Sequence, residues 1–212
     1  MTRMASERLL IADKNPSSPA SEAYKTLRTN IRFAALERPV KVLLITSATE
    51  GEGKTTTAAN LAVTYAQENK KVLLVDGDLR TPSLQHVFAR TSRKGLTDLL
   101  TGHLELEDVV SSTNVPNLSV LNSGQLPPSP SEILGSDQMR ALLQELSELY
   151  DVVIIDTPPA LSFSDAQILG SMSDGVVLVV HTGKVTKTEV RKVKAGMEHV
   201  NAKLLGAVLN YA

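Results

Sequence analysis

The chain has 212 residues, 42% hydrophobic and 21% charged, which is enough for one well-buried core and too few for two ordinary ones. Its 22 basic and 23 acidic residues leave a net charge of -1, so the bulk electrostatics favour neither nucleic acid nor anionic lipid as a partner. Cysteine is absent, which excludes a disulfide framework and thiol catalysis and fits a reducing compartment.

Residues 1–20 are polar, contain Pro16 and Pro19, and hold no apolar run of signal-peptide length; they read as a flexible N-terminal segment of a chain not expected to be secreted. Ser21 to Ala35 then sets Tyr24, Leu27, Ile31 and Ala34 at spacings of three and four, an amphipathic helix ahead of the core. From there, short β-branched runs alternate with helical patterns. Strands are expected at Val42 to Thr46, Val72 to Val75, Leu118 to Leu121, Val152 to Ile155, Val176 to Val180 and Leu204 to Leu209. Helices are expected at Thr55 to Gln67, Ser136 to Leu149, Ser164 to Ser171 and Thr186 to Val200, with Ser131 as N-cap of a further short one. The strand runs are continuously apolar, as they must be if both faces are covered. Strand and helix in alternation imply an α/β, doubly wound, mostly parallel sheet with helices on both faces, as one domain over residues 21–212. No apolar run approaches the roughly 18 residues of a membrane-spanning helix, so membrane association is expected only through a partner.

The first strand leads into Ala48-Thr-Glu-Gly-Glu-Gly-Lys-Thr55 and then a helix, the context of a Walker A phosphate loop. Gly51 and Gly53 let backbone N–H groups turn toward phosphate oxygens at the positive end of the helix, where the first amides lack internal partners. The loop's nucleotide contacts are expected from Gly51, Glu52, Gly53, Lys54, Thr55 and Thr56, with Lys54 on the β- and γ-phosphates and the Thr55 hydroxyl on Mg²⁺. The second strand ends in Asp76-Gly-Asp78, whose two carboxylates point the same way, and a later strand closes on Asp156 in Walker B form. Three strand-end carboxylates beside one phosphate loop repel each other unless a divalent cation offsets them. The cofactors expected are therefore ATP and Mg²⁺, with Thr55 and Asp156 at the metal. A Rossmann reading fails because Gly-x-Gly-x-x-Gly is missing, and the four histidines have no metal-ligand spacing.

Asp76-Gly-Asp-Leu-Arg80, the Gly-Glu-Gly-Lys of the phosphate loop, Asp156-Thr-Pro-Pro159 and the upstream Ser21-Glu-Ala-Tyr-Lys-Thr-Leu-Arg28-Thr-Asn-Ile31 together resemble the bacterial tyrosine kinases of capsule and exopolysaccharide assembly. The resemblance runs from about Pro19 to Asn210. Cell-division and plasmid-partition ATPases are similar but carry a lysine early in the loop where this chain has Thr49. The resemblance implies an ATP-dependent protein-tyrosine kinase, acting on itself and on substrates such as UDP-sugar dehydrogenases, and regulating polysaccharide synthesis and export. It implies Lys54, Asp76 and Asp78 as catalytic residues, with Asp76 at the metal and the tyrosine proton, and Asn210 on the adenine. It also implies activation by the cytoplasmic tail of a membrane-embedded modulator, hence a cytoplasmic place at the inner face of the membrane. A homo-oligomeric ring is implied too, through a Glu-x-x-Arg-x-x-Arg helix that reads Glu22, Lys25 and Arg28 here; lysine keeps the charge but not the bidentate fork. The alternative is a non-kinase ATPase whose nucleotide state switches assembly at a membrane partner. Relatives commonly end in a tyrosine-rich tail, whereas Tyr24, Tyr65, Tyr150 and Tyr211 form no cluster, which leaves the phosphate acceptor open.

Overall fold

The computed structural model describes residues 10–35, 39–88 and 93–210. Tyr211 lies outside them. Ahead of the core come α1 (Ile11–Lys14) and α2 (Pro19–Ala34), then β1 (Val42–Ser47), α3 (Lys54–Ala66), β2 (Val72–Asp76) and α4 (Leu84–Val87). There follow α5 (Leu96–Leu100), α6 (Leu106–Val109), β3 (Val110–Ser112), β4 (Leu118–Leu121), α7 (Pro130–Leu134) and α8 (Asp137–Leu149). β5 (Val152–Asp156), α9 (Asp165–Ser171), β6 (Gly175–His181), α10 (Lys187–His199) and β7 (Leu204–Asn210) complete the order.

The strands form one sheet in the order β3-β4-β2-β5-β1-β6-β7, parallel throughout except for the antiparallel β3–β4 pair. Alternate residues of the buried strands feed two cores. Leu44, Leu73, Val75, Ile155 and Leu178 pack with Met139, Leu143 and Leu146 of α8 and Met197 of α10, while Leu43, Ile45, Leu74, Ile154 and Val179 pack with Leu61, Ala62 and Val63 of α3. Because the side-chain period of a strand is two, a sheet covered on both faces needs apolar residues at every position. Helix starts follow their side chains: Ser18 accepts from the Ser21 N–H at 3.2 Å ahead of α2, and Ser136 from that of Met139 at 3.2 Å ahead of α8. Thr186 and Glu189 form a capping box on α10.

Three local expectations are corrected. Residues 10–20 are not a flexible lead-in: Leu10 and Ala12 are buried against α3, the Ala12 N–H donates to Asn60 Oδ1 at 2.9 Å, and Gln67 Nε2 donates to the Ala12 carbonyl at 2.9 Å. Partners some 50 residues away hold this turn, so its own polar composition hides it. β3 was not foreseen, because a three-residue strand of Val and two Ser is defined only by pairing with β4. The N-cap of α7 is Ser129 with Pro130 at the first position, which leaves Ser131 inside the helix.

Candidate active site

In the sheet order β2-β5-β1-β6-β7, the phosphate loop leaves β1 at the centre, with carboxylate-bearing strands on one side and β6 and β7 on the other. Gly51 and Gly53 take φ +74° and +89°, in the left-handed region open to glycine. Gly53 also starts α3 without a side-chain cap, whereas the first turns of α2, α8 and α10 are filled by Ser18, Ser136 and Thr186. The uncapped amides of α3 leave this helix start open to an anion, at the place where the sequence expects the phosphate grip.

Glu52 stands in the loop expected to contact the nucleotide. Its side chain is fully buried and turned away from the pocket: Oε1 accepts from the Thr49 N–H and, at 3.1 Å, from the Thr49 hydroxyl, and Oε2 accepts from the His181 N–H at 3.0 Å. It is a brace joining the loop to the end of β6, and what it can offer a ligand is its backbone. Asn210, at the end of β7, donates from Nδ2 to the Glu52 carbonyl at 2.9 Å, and Lys184 Nζ donates to the Glu50 carbonyl.

Across the loop, Lys54 Nζ lies 3.3 Å from Asp78 Oδ2. Burial alone would lower the Lys54 pKa, but the charges of Asp156, Asp78 and Asp76 together hold it above its ordinary value. Thr55 Oγ1 donates to Asp156 Oδ2 at 2.5 Å and is 3.0 Å from Ser83 Oγ. Asp76 and Asp156 are register neighbours on β2 and β5. Burial, reinforced by Asp156, pushes Asp76 up to about 8; burial pushes Asp156 up to about 6, against the pull of Lys54 and Thr55. The Asp76 oxygens accept from the N–H groups of Asp78 and Leu84, at 3.3 and 3.1 Å, whereas Asp156 Oδ1 is buried without a hydrogen-bond partner. Among the described residues, no three His, Cys, Asp or Glu converge into a cage that would hold a metal by themselves. Thr55 and Asp156 with an orphaned carboxylate oxygen fit a Mg²⁺ that takes its remaining ligands from phosphate and water.

Sequence reading missed several groups at the rim. Arg80 forms a two-pronged pair with fully buried Asp165, Nε–Oδ2 at 2.8 Å and Nη2–Oδ1 at 2.9 Å, and its guanidinium lies 3.9 Å from the centre of the Phe163 ring. Asp165 opens α9 and reads locally as a helix-start acid; only the fold brings it to Arg80. On α2, Lys25 pairs with Glu22 at 2.8 Å, and Arg28 with Glu68 of the same chain at 2.7 Å. Tyr24, Tyr65 and Tyr150 are packed rather than presented: burial raises all three phenols, Tyr65 to about 12.

Residues 40–206 match the family model described as AAA domain, which agrees with the phosphate loop and parallel sheet in defining a nucleotide-binding P-loop domain. The chain is 48% identical over 204 residues to the tyrosine-protein kinase YwqD of Bacillus subtilis, covering 96% of this chain and 86% of that protein. Two solved structures superpose with a TM-score of 0.92: the chimerical protein CapA2B2, at 43% identity over 96% of this chain and 89% of that one, and the kinase domain of Escherichia coli tyrosine kinase ETK, at 38% over 96% and 80%. This chain belongs to the bacterial tyrosine-protein kinase family.

Proposed function

We propose that the chain is an ATP- and Mg²⁺-dependent protein-tyrosine kinase that regulates capsular or extracellular polysaccharide synthesis and export. The observation that carries this reading is the meeting of Lys54 and Thr55 with Asp78 and Asp156 at an uncapped helix start, in a chain of this kinship. Bound at Thr55 and Asp156, Mg²⁺ would neutralise the charge of the β- and γ-phosphates. The loop amides and Lys54 hold those phosphates, and Asp78 keeps Lys54 pointed into the site. In the transfer, the tyrosine Oη bonds to the γ-phosphorus, the bond to the β,γ-bridging oxygen breaks with its electron pair going to ADP, and the phenolic proton passes to Asp76 or Asp78. Alignment and charge neutralisation do most of the work, since the transition state is loose. Asn210 retains a second amide hydrogen and its oxygen for the adenine edge.

The same reading includes activation by the cytoplasmic tail of a membrane-embedded modulator, which sets the protein at the inner face of the membrane; among the described residues no helix is long and apolar enough to cross one. UDP-sugar dehydrogenases are proposed substrates. Ring assembly through Glu22, Lys25 and Arg28 would have to exchange or extend the pairs these residues make within the chain. The test is incubation with Mg·ATP and a fused modulator tail, reading phosphotyrosine and free phosphate together, with Lys54→Met as control. Phosphotyrosine reduced about 100-fold or more in Lys54→Met supports the kinase; free phosphate without phosphotyrosine overturns it.

A further inference from the structure

The phosphate loop opens into a cavity of about 490 Å³ whose walls reach well past the phosphate grip. Gly53, Lys54 and Thr55 line it together with Arg80, Ser162 and Phe163. Ser162 and Phe163 belong to the segment following β5 and Arg80 to the one following β2, strands on the side of β1 away from β6 and β7. Thr55 bonds to Asp156 and Lys54 pairs with Asp78 on this same side, so on the kinase reading the γ-phosphoryl end of a nucleotide would point toward it and the base toward Asn210.

This wall is unusual in composition. Phe163 is 40% exposed and its neighbour Leu161 is 39% exposed, in a chain with only 3% aromatic residues. Folding leaves part of the Phe163 ring uncovered, and that part lines the cavity. The guanidinium stacked on the ring fixes its orientation, and buried Asp165 in turn fixes the guanidinium at two points. The result is an aromatic and guanidinium platform that shares one cavity with the phosphate loop.

We propose that Phe163, oriented by Arg80 and Asp165, is the platform on which the aromatic ring of the acceptor tyrosine docks before transfer. This rests on the kinase reading above and names the acceptor subsite within it. A phenol has the two properties the wall matches: a flat face for the exposed ring and guanidinium, and a hydroxyl at the end that meets the phosphoryl group. A serine or threonine acceptor has no face to stack, so the subsite selects tyrosine.

The experiment uses the full chain with a fused modulator tail and, as probes, a peptide carrying four tyrosines and its phenylalanine and leucine counterparts. Phe163→Ala is expected to raise the KM for the tyrosine peptide about three- to tenfold, the range set by one lost aromatic contact, with the Kd for ATP unchanged within about twofold. Phe163→Tyr should restore the KM. The phenylalanine peptide should compete with the tyrosine peptide and not with ATP, and the leucine peptide should compete with neither. An unchanged peptide KM in Phe163→Ala, or a loss of ATP affinity in its place, overturns the proposal. If no phosphotyrosine forms at all, the kinase reading has failed separately. Direct calorimetric binding of the phenylalanine peptide to wild type and Phe163→Ala then decides the platform: equal binding, or none, overturns it. Phe163 is exposed enough that the alanine variant should keep its fold, which its melting temperature will verify.

Discussion

On the β6–β7 side of the phosphate loop, polar groups are satisfied by the protein. Glu52 is bonded to Thr49 and His181, Asn210 to the Glu52 carbonyl, and Lys184 to the Glu50 carbonyl. On the β5–β2 side, Asp156 Oδ1 is buried without a partner, Asp76 and Asp156 are raised to about 8 and 6, and Lys54 is the one cation that Asp78 contacts there among the described residues. One side has its polar groups paired within the protein; the other concentrates carboxylates that burial holds toward the protonated form. On the proposed reading this contrast is a division of labour: a preformed loop would save the ordering cost of binding, and the carboxylate cluster would make that binding depend on the metal.

The comparison breaks most severely at Gly53. Its φ is +89°, and a Cβ there would meet Asn210 Nδ2 at 2.2 Å, so Gly53→Ala both strains the backbone and expels the Asn210 brace. It should weaken ATP binding more than tenfold and lower stability by about 2 kcal/mol, read by calorimetric titration and denaturant melts. Retained affinity would show that the brace is dispensable. Glu52→Ala should come next. Losing a buried carboxylate that holds two segments should lower stability by about 1–3 kcal/mol and weaken both ATP and ADP by similar factors, because the loop and not the γ-phosphate contact is damaged. An ATP-selective loss would mean that Glu52 touches the ligand after all.

The smallest expected effect tests the carboxylate side. The folded-state pKa of Asp76, about 8, lies far above its ordinary 3.8, so between these values the native chain keeps a proton that the unfolded chain has released. Stability of the metal-free chain should therefore fall as pH rises from about 5 to about 8, Asp156 contributing in the lower part of that window. Melting temperatures in chelator should show this slope. Asp76→Asn should flatten its upper part, and Mg·ADP should flatten the whole by replacing protons with a cation. A wild-type profile that is flat in chelator would show the cluster to be already neutralised.

Much of this was legible in the chain. Val152-Val-Ile-Ile-Asp156 declares a strand buried on both faces and ending in a carboxylate, and Gly51-Glu-Gly-Lys-Thr55 declares a phosphate loop, because each depends on local spacing and a short-range backbone requirement. The helix starts near Ser136 and Thr186 are likewise decided within four residues, whereas the Ser18 cap fell in the stretch that reads as flexible. What the local sequence could not announce was the partner of each side chain. Glu52 sits in the motif as though it faced the nucleotide, yet turns to His181, 129 residues later. Arg80 stands in its acidic motif without announcing Asp165 or Phe163, 85 and 83 residues on, and the turn at Ile11–Lys14 exists because Asn60 and Gln67 receive it. The sequence by itself determined the fold class, the family and the phosphate grip, since these follow from periodicity and contiguous motifs. The tertiary structure alone decided which carboxylates are satisfied, which are left for a ligand and which aromatic ring meets the pocket, because those are set by contacts between strands whose neighbours in space are far apart in the chain.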